Sequence, residues 1–423
     1  MERRIIFFVL VVLLLLCLRI WNFYQNKSNY INGDPVQFQT TLLSEPKTSG
    51  SQQRFWVVLE DGTKFFVVTS RYPGYHYGDI LEISGTIQAV SQDKKSTSNG
   101  EVPRNKNTVL TIYSPQIKAG KIAGNFALAV PTFFRQHITN FFQETLPPKA
   151  SSLLLGITFG IKEQMPQDFY ENLKTTGVLH VVAASGMNVT MLGGLLGSLY
   201  MLLFRRQVAL VLASIGILFY AVLAGLEPSI VRAALMGVLV FAAQVIGRQY
   251  VGSYGLFLAA SLMLFFDPTL LFDIGFQLSF VATIGLLYIR PILSVFPKKF
   301  LLTEDIHTTI AAQIATLPIL LSNFGTYSLL SILVNALVLW TVPILMLFGG
   351  IGAVVGMVFA PLGKLFLYFS LPFLLYFTEI VSVFSKAGTV LTVEVFPWQW
   401  AVSYYLLLIA IVLGFFRKKA VKE

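Results

Sequence analysis

Residues 208–224 read VALVLASIGILFYAVLA, seventeen consecutive positions without a charge, framed by Arg205 and Arg206 before and Glu227 after. A helix of that length rises about 26 Å, close to the roughly 30 Å hydrocarbon thickness of a bilayer. The same pattern repeats on both sides. Spans are expected near 178–204, 208–224, 230–247, 250–266, 270–290, 306–322, 329–358, 365–384 and 400–416. A tenth lies at the N-terminus, where Ile5–Leu18 is apolar and Trp21, Phe23 and Tyr24 follow as an interfacial aromatic girdle. No small-residue cleavage site closes that run, so residues 1–24 read as an uncleaved anchor, a cleaved signal peptide being the alternative.

Composition agrees. Of 423 residues, 55% are hydrophobic and 12% charged, against about 25% charged in soluble domains. Too little polar surface remains to coat a water-soluble fold. One cysteine, Cys17, excludes an internal disulfide and a Cys-based zinc site. His76, His137, His180 and His307 have no metal-ligand spacing, and no metal or cofactor is expected. Arg3/Arg4, Arg205/Arg206, Arg248, Arg290/Lys298/Lys299, Lys364 and Arg417/Lys418/Lys419 all fall on one side of the ten-span topology. The positive-inside rule makes that side cytoplasmic, with both termini, and puts residues 31–150 outside. The net charge of +10 follows from those loops, or from attraction to a polyanion; charge alone does not separate the two.

Residues 31–115 change period. Val36–Leu42 alternates, Arg54–Leu59 and Lys64–Thr69 flank a hairpin turn at Glu60–Thr63, and Asp79–Val90 and Thr108–Tyr113 complete five strands. Gly85 is expected at a bend or bulge. Five short strands point to a small OB-like barrel. Arg54, Trp56, Lys64, Phe66, Tyr75 and Tyr77 are candidates for holding single-stranded nucleic acid by charge and stacking, with core packing as the competing reading. Between 31 and 150, 12 Lys and Arg against 9 Asp and Glu make a weak electrostatic footprint. Residues 120–146 place Phe126, Val130, Phe133, Phe134, Ile138, Phe141, Phe142 and Leu146 on one helical face, as in a helix lying in the membrane interface.

The chain thus reads as a polytopic α-helical membrane protein of about ten spans, some broken or re-entrant, with a small extracytoplasmic all-β, OB-like domain. The parts are the anchor (1–24), the β-domain (31–115), the amphipathic helix (120–146), the membrane core (150–416) and a basic tail (417–423). Residues 329–358 are too long for one straight crossing, and Pro343 interrupts them, so two half-helices are expected.

Polar groups at membrane depth need partners or water. His180, Ser185 and Asn188 stand in GVLHVVAASGMNVT (177–190). Arg232 lies in EPSIVRAALMG (227–237), where Glu227, Asp267 or Asp273 could pair it, or a phosphate in a wet cavity. Asp273 and Gln277 share a face of DPTLLFDIGFQLSFVATIG (267–285). Gln313, Thr316 and Asn335 follow, with Pro318 freeing a carbonyl to line a cavity. Each cluster reads as helix-packing glue or as the lining of a hydrated path.

These stretches together resemble the ComEC family of bacterial competence proteins, inner-membrane DNA-uptake channels. The resemblance rests on Gly177-Val178-Leu179-His180 with Ala184-Ser185-Gly186, Ser229-x-x-Arg232-Ala233, Asp273-x-Gly275-Phe276-Gln277-Leu278-Ser279-Phe280, and Gln313-x-x-Thr316-Leu317-Pro318 with Phe324-Gly325 and Asn335. It implies passage of one DNA strand into the cytoplasm, with Arg232 against backbone phosphate and the polar groups lining the path. A separate DNA receptor is expected with it; with no Walker-type phosphate loop in the sequence, any ATP use falls to a partner cytoplasmic ATPase, and strand degradation to a separate nuclease unless the system works without one. Longer family members carry a metallo-β-lactamase-like domain; no His-x-His-x-Asp-His signature occurs here, so no enzymatic activity is expected. Met187-Asn188 stands where the family pattern leads one to expect a second histidine. Two other classes compete: a small-molecule or polysaccharide transporter, and an intramembrane serine hydrolase using Ser185 with His180 or His307.

Overall fold

The structure, a computed structural model, describes residues 2–25, 32–42, 46–49, 51–59, 63–75, 79–91, 108–120, 126–162, 165–182, 185–293, 303–328, 330–387, 390–392 and 397–422. It divides into two compact units, Met1–His137 with Phe265–Thr269, and Ile138–Leu264 with Leu270–Glu423.

The first unit opens with α1 (Glu2–Gln25) and continues with β1 (Pro35–Thr41), β2 (Lys47–Ser49), β3 (Gln52–Val58), β4 (Lys64–Ser70), β5 (Ile80–Ser91), β6 (Thr108–Tyr113) and β7 (Gln116–Gly120). The five strands expected from alternation are β1, β3, β4, β5 and β6. The sheet runs β1-β5-β6-β4-β3-β2, with β7 beside the first half of β5. All pairs are antiparallel except β4 with β6. Thr40 on β1 donates to the Val58 carbonyl on β3, curling β1 round toward the far side of this order in an OB-like half-barrel. Alternation sends Phe55 and Val57 inward to join Leu42, Phe65, Val67, Leu81, Ile83, Ile87 and Ile112 in one core. Gly85 sits where β5 changes partner from β7 to β6. A Cβ there would lie 2.7 Å from Ile112 Cγ2, so the bend admits only glycine.

The second unit is helical. After α2 (Phe126–Thr145), whose residues up to His137 belong to the first unit, come α3 (Pro148–Phe159), α4 (Gln167–Thr175), α5 (Leu179–Val182), α6 (Gly186–Leu203), α7 (Arg206–Leu223), α8 (Pro228–Ile246) and α9 (Gly252–Phe266). A 3₁₀ turn at Pro268–Phe272 leads into α10 (Ile274–Tyr288) and α11 (Arg290–Leu293). Then follow α12 (Thr303–Phe324), β8 (Thr326–Ser328), α13 (Ser331–Val338), α14 (Thr341–Val358), α15 (Ala360–Ser385), β9 (Val390–Thr392) paired with β8, and α16 (Trp398–Lys422). Seven helical segments among the described residues are long and apolar enough to cross a membrane, and α9 and the described part of α1 are shorter apolar helices. The chain is a multi-pass membrane protein with a small β-domain.

Three expectations shift. The segment expected as one span at 178–204 is interrupted: Ser185 is extended (φ −108°, ψ 166°), and α6 starts afresh at Gly186. Residues 329–358 do form two helices, but the break falls at Leu339–Trp340, and Pro343 sits harmlessly in the first turn of α14. The apolar face of 120–146 meets protein in its second half: Ile138 and Phe142 are buried, Phe142 lies 6.0 Å from the Phe159 ring, and Phe141 fills the space beside Gly356.

α3 carries no span expectation, yet all of Ala150–Phe159 is buried. Its twelve residues rise only about 18 Å, too short to cross a bilayer. It ends at Gly160 in the left-handed region (φ 71°), whose N–H bonds the Gly156 carbonyl.

Pro318 cannot donate to the Ile314 carbonyl one turn back. Tyr404 on α16 donates its hydroxyl there at 2.8 Å, and Tyr405 donates to the Ala315 carbonyl at 3.0 Å. The freed carbonyl therefore docks α16 and does not line a cavity. Tyr404→Phe is expected to cost about 1–3 kcal/mol, because the Ile314 carbonyl is orphaned. Adding Pro318→Ala, which restores an in-helix donor, should recover most of the loss in detergent melting temperature. Equal melting of Tyr404→Phe and parent would show the bond to be idle.

Candidate functional site

The interruption between α5 and α6 is the centre of the candidate site. An 18-residue helix begins there inside an apolar segment, with its first N–H groups free of side-chain caps. Such an end carries about half a positive charge.

Arg232 on α8 points at it. Any Cβ on Gly186 would lie 2.9 Å from Arg232 Nη2, so glycine is what lets the guanidinium reach the start of α6. Arg232 also lies 5.8 Å from the Phe280 ring centroid on α10, an attraction between cation and ring face. Its Nε is buried without a hydrogen-bond partner. None of the three expected carboxylates takes it. Glu227 accepts from Lys162 Nζ at 2.7 Å. Asp273 caps α10 by accepting from the Phe276 N–H at 2.9 Å. Asp267 accepts from the Thr269 N–H and hydroxyl. Two positive ends thus face one another, with no anion between them among the described residues.

Asn188 and Ser185 serve structure. Asn188 is fully buried; its Nδ2 donates to the Ile157 carbonyl at 2.6 Å, and its Oδ1 accepts from the Ser185 hydroxyl at 3.1 Å. Tyr220 on α7 donates to the Thr158 carbonyl at 2.9 Å. The C-terminal carbonyls of α3 are therefore closed by side chains of α6 and α7. The Ser185 hydroxyl is committed to Asn188 and the His180 ring faces the Gly177 carbonyl at 3.1 Å, so they form no nucleophile–base pair.

On the other side of the interruption, Gly177 (φ +75°) packs so closely on α13 that a Cβ would meet Ser331 Cβ at 2.7 Å. Ser331 accepts from Gln313 Nε2 of α12 at 3.0 Å. One turn along α13, Asn335 is 1% exposed and its Oδ1 has no partner. Gly177 thus meets a neutral polar cluster and Gly186 the cationic one. Thr316 bonds only its own helix, at the Ala312 carbonyl, and Gln277 donates to the Leu271 carbonyl. Of the nine membrane residues expected to line a path, Arg232 and Asn335 keep buried polar atoms unpartnered.

In the β-domain, Trp56 and Phe66 are cross-strand partners with centroids 5.0 Å apart, and Trp56 is 44% exposed. Arg54 is exposed on the same face of β3. Register places Tyr113 beside Val68 and so in the same cross-strand row as Arg54, with Val68 between them; sequence reasoning passed over this exposed tyrosine. Lys64 pairs in register with Val58. Tyr75 is corrected: it is 6% exposed, packed on Phe55 at 6.1 Å, and burial pushes its phenol above the ordinary value, with Asp79 adding to it. Tyr77 lies outside the described residues.

The family described as "Competence protein" matches residues 157–418, most of the chain and the whole helical cluster around Arg232, but not the β-domain. The chain belongs to the competence protein family. Among curated relatives, ComE operon protein 3 of Bacillus subtilis (strain 168) is 27% identical over 328 residues, 74% of this chain and 41% of that protein. An uncharacterized protein of Aquifex aeolicus (strain VF5) is 30% identical over 162 residues, 37% of this chain and 38% of its own length. The chain thus spans about two fifths of the relatives it matches. No solved structure matches it. The competence family match begins inside α3 and runs into α16, so α5, α6, α8, α10, α12 and α13 all fall within it.

Proposed function

We propose that this competence-family chain passes one strand of DNA through the plasma membrane into the cytoplasm, along a route that runs by the start of α6. The observation that carries the reading is the Arg232 guanidinium, claimed by no nearby carboxylate, at the N-terminus of an interrupted membrane helix. Helix N-termini and guanidinium groups both favour phosphate oxygens, and a nucleic acid brings one such charge per nucleotide. A single cation of this kind holds a phosphodiester weakly enough to release it, as conduction requires. Trp56, Phe66, Arg54 and Tyr113 present rings and a charge on which unstacked bases can lie. Both termini are cytoplasmic and the β-domain is outside, which the Lys and Arg distribution supports. In this reading the membrane helices of the chain act as a conduit for the strand.

Cysteine labelling tests the route. In a Cys17→Ser background, Met187→Cys and Thr190→Cys, exposed near the start of α6, are expected to react with a membrane-impermeant maleimide, and added single-stranded oligonucleotide is expected to slow the reaction severalfold. Leu202→Cys, 81% exposed but set for lipid contact, should stay unreactive. Silence at both α6 positions would mean no water reaches the interruption, and the conduit reading would fall.

A further inference from the structure

Glu227 stands at the N-cap position of α8, five residues before Arg232, yet caps nothing; its carboxylate accepts from Lys162 Nζ at 2.7 Å. The two side chains, Lys162 and Glu227, are 41% and 30% exposed, a setting in which an ion pair adds little to stability. Stability therefore does not explain a lysine reaching across 65 residues of sequence. Charge does. Resting on the reading that Arg232 receives DNA phosphate, we infer that Lys162 is a positioning residue for transport, cancelling the Glu227 carboxylate so that the start of α8 does not repel the phosphate backbone approaching Arg232.

The geometry fits that role. Lys162 comes just after Gly160 and Ile161, which close α3, and the C-terminal carbonyls of α3 are held by Asn188 and Tyr220, so the ammonium extends from a fixed element. Asn188 belongs to the first turn of α6, the turn that Arg232 faces. The carboxylate lies between the α7 C-terminus and the α8 N-terminus, at the end of α8 nearer to Arg232. A like charge beside an anion path lowers local anion concentration and on-rate.

The test is a cycle of variants of the full chain in a naturally competent host lacking its own copy, scored by uptake of labelled DNA with membrane levels matched. Lys162→Met is expected to lower uptake about tenfold at low ionic strength and less at high salt, as a bare carboxylate in a partly solvated site would. Glu227→Gln is expected to behave like the parent, and the double variant to regain parental uptake. If Lys162→Met, Glu227→Gln and the double variant all fall together, the pair is a structural tie and the inference is overturned. If Lys162→Met transports normally while Arg232→Gln does not, the inference fails and the conduit reading stands. If Arg232→Gln transports normally, both fail.

Discussion

Arg232→Gln is expected to reduce DNA uptake by roughly ten- to a hundredfold without lowering the amount of protein in the membrane. The range follows from one charged hydrogen bond, about 1.5–3 kcal/mol, at about 1.4 kcal/mol per tenfold. The stability half is equally sharp. Arg232 Nε is buried with no partner, so part of the guanidinium's desolvation cost is not repaid by a hydrogen bond. Replacing it with a neutral group should leave the melting temperature unchanged or raise it. A structural arginine would do the opposite, because its removal would strand a carboxylate. Arg232→Lys keeps the charge but loses the planar fork and should fall between parent and Gln. Parental uptake by Arg232→Gln would sink the assignment, and a drop in melting temperature would move Arg232 into the architecture.

Gly363→Val is expected to keep the protein from accumulating. α14 and α15 share the most extensive helix seam among the described residues, and Gly363 is its tightest point. A Cβ there would run into the Gly356 Cα and lie 2.7 Å from the Gly356 nitrogen. Those are backbone atoms of the facing helix, so no rotamer relieves the collision and the helices must separate. Within a bilayer, van der Waals packing at such small-residue contacts supplies much of what joins helices. Overpacking typically costs about 1–3 kcal/mol when side chains can shift; with backbone on both sides the upper end or beyond is expected. Abundance in membranes and detergent melting check it, and a Gly363→Val variant that melts like the parent would refute the account.

The fold was largely legible because each unit repeats one simple period. Alternation placed β1, β3, β4, β5 and β6 within a residue or two, and missed β2 and β7, which are short and add edges without a periodic run of their own. Charge-free runs located the long helices. They could not show the interruption at Ser185, since hydropathy continues across it and a break is a matter of backbone angles. α3 escaped because it is too short to span and begins at Pro148, which reads as the end of the preceding helix.

The site was legible as residue types and not as partnerships. Arg232 stood out from sequence, but carboxylates nearby in sequence were its natural partners there. In the folded chain Lys162 takes Glu227, and Asp267 and Asp273 cap local turns. Gly186 and Phe280, its true neighbours, come from helices that only tertiary packing brings together. Tyr75 erred in the same way, because an aromatic beside a strand carries no mark of which side of the barrel it faces.

The capping of α3 by Asn188 and Tyr220 has a consequence for synthesis. As it leaves the ribosome, α3 is too short to be retained by the insertion machinery as a span, and its last carbonyls have no donors. Both donors arrive later in the chain, on α6 and α7. These two bonds can therefore form only once α6 and α7 have been made.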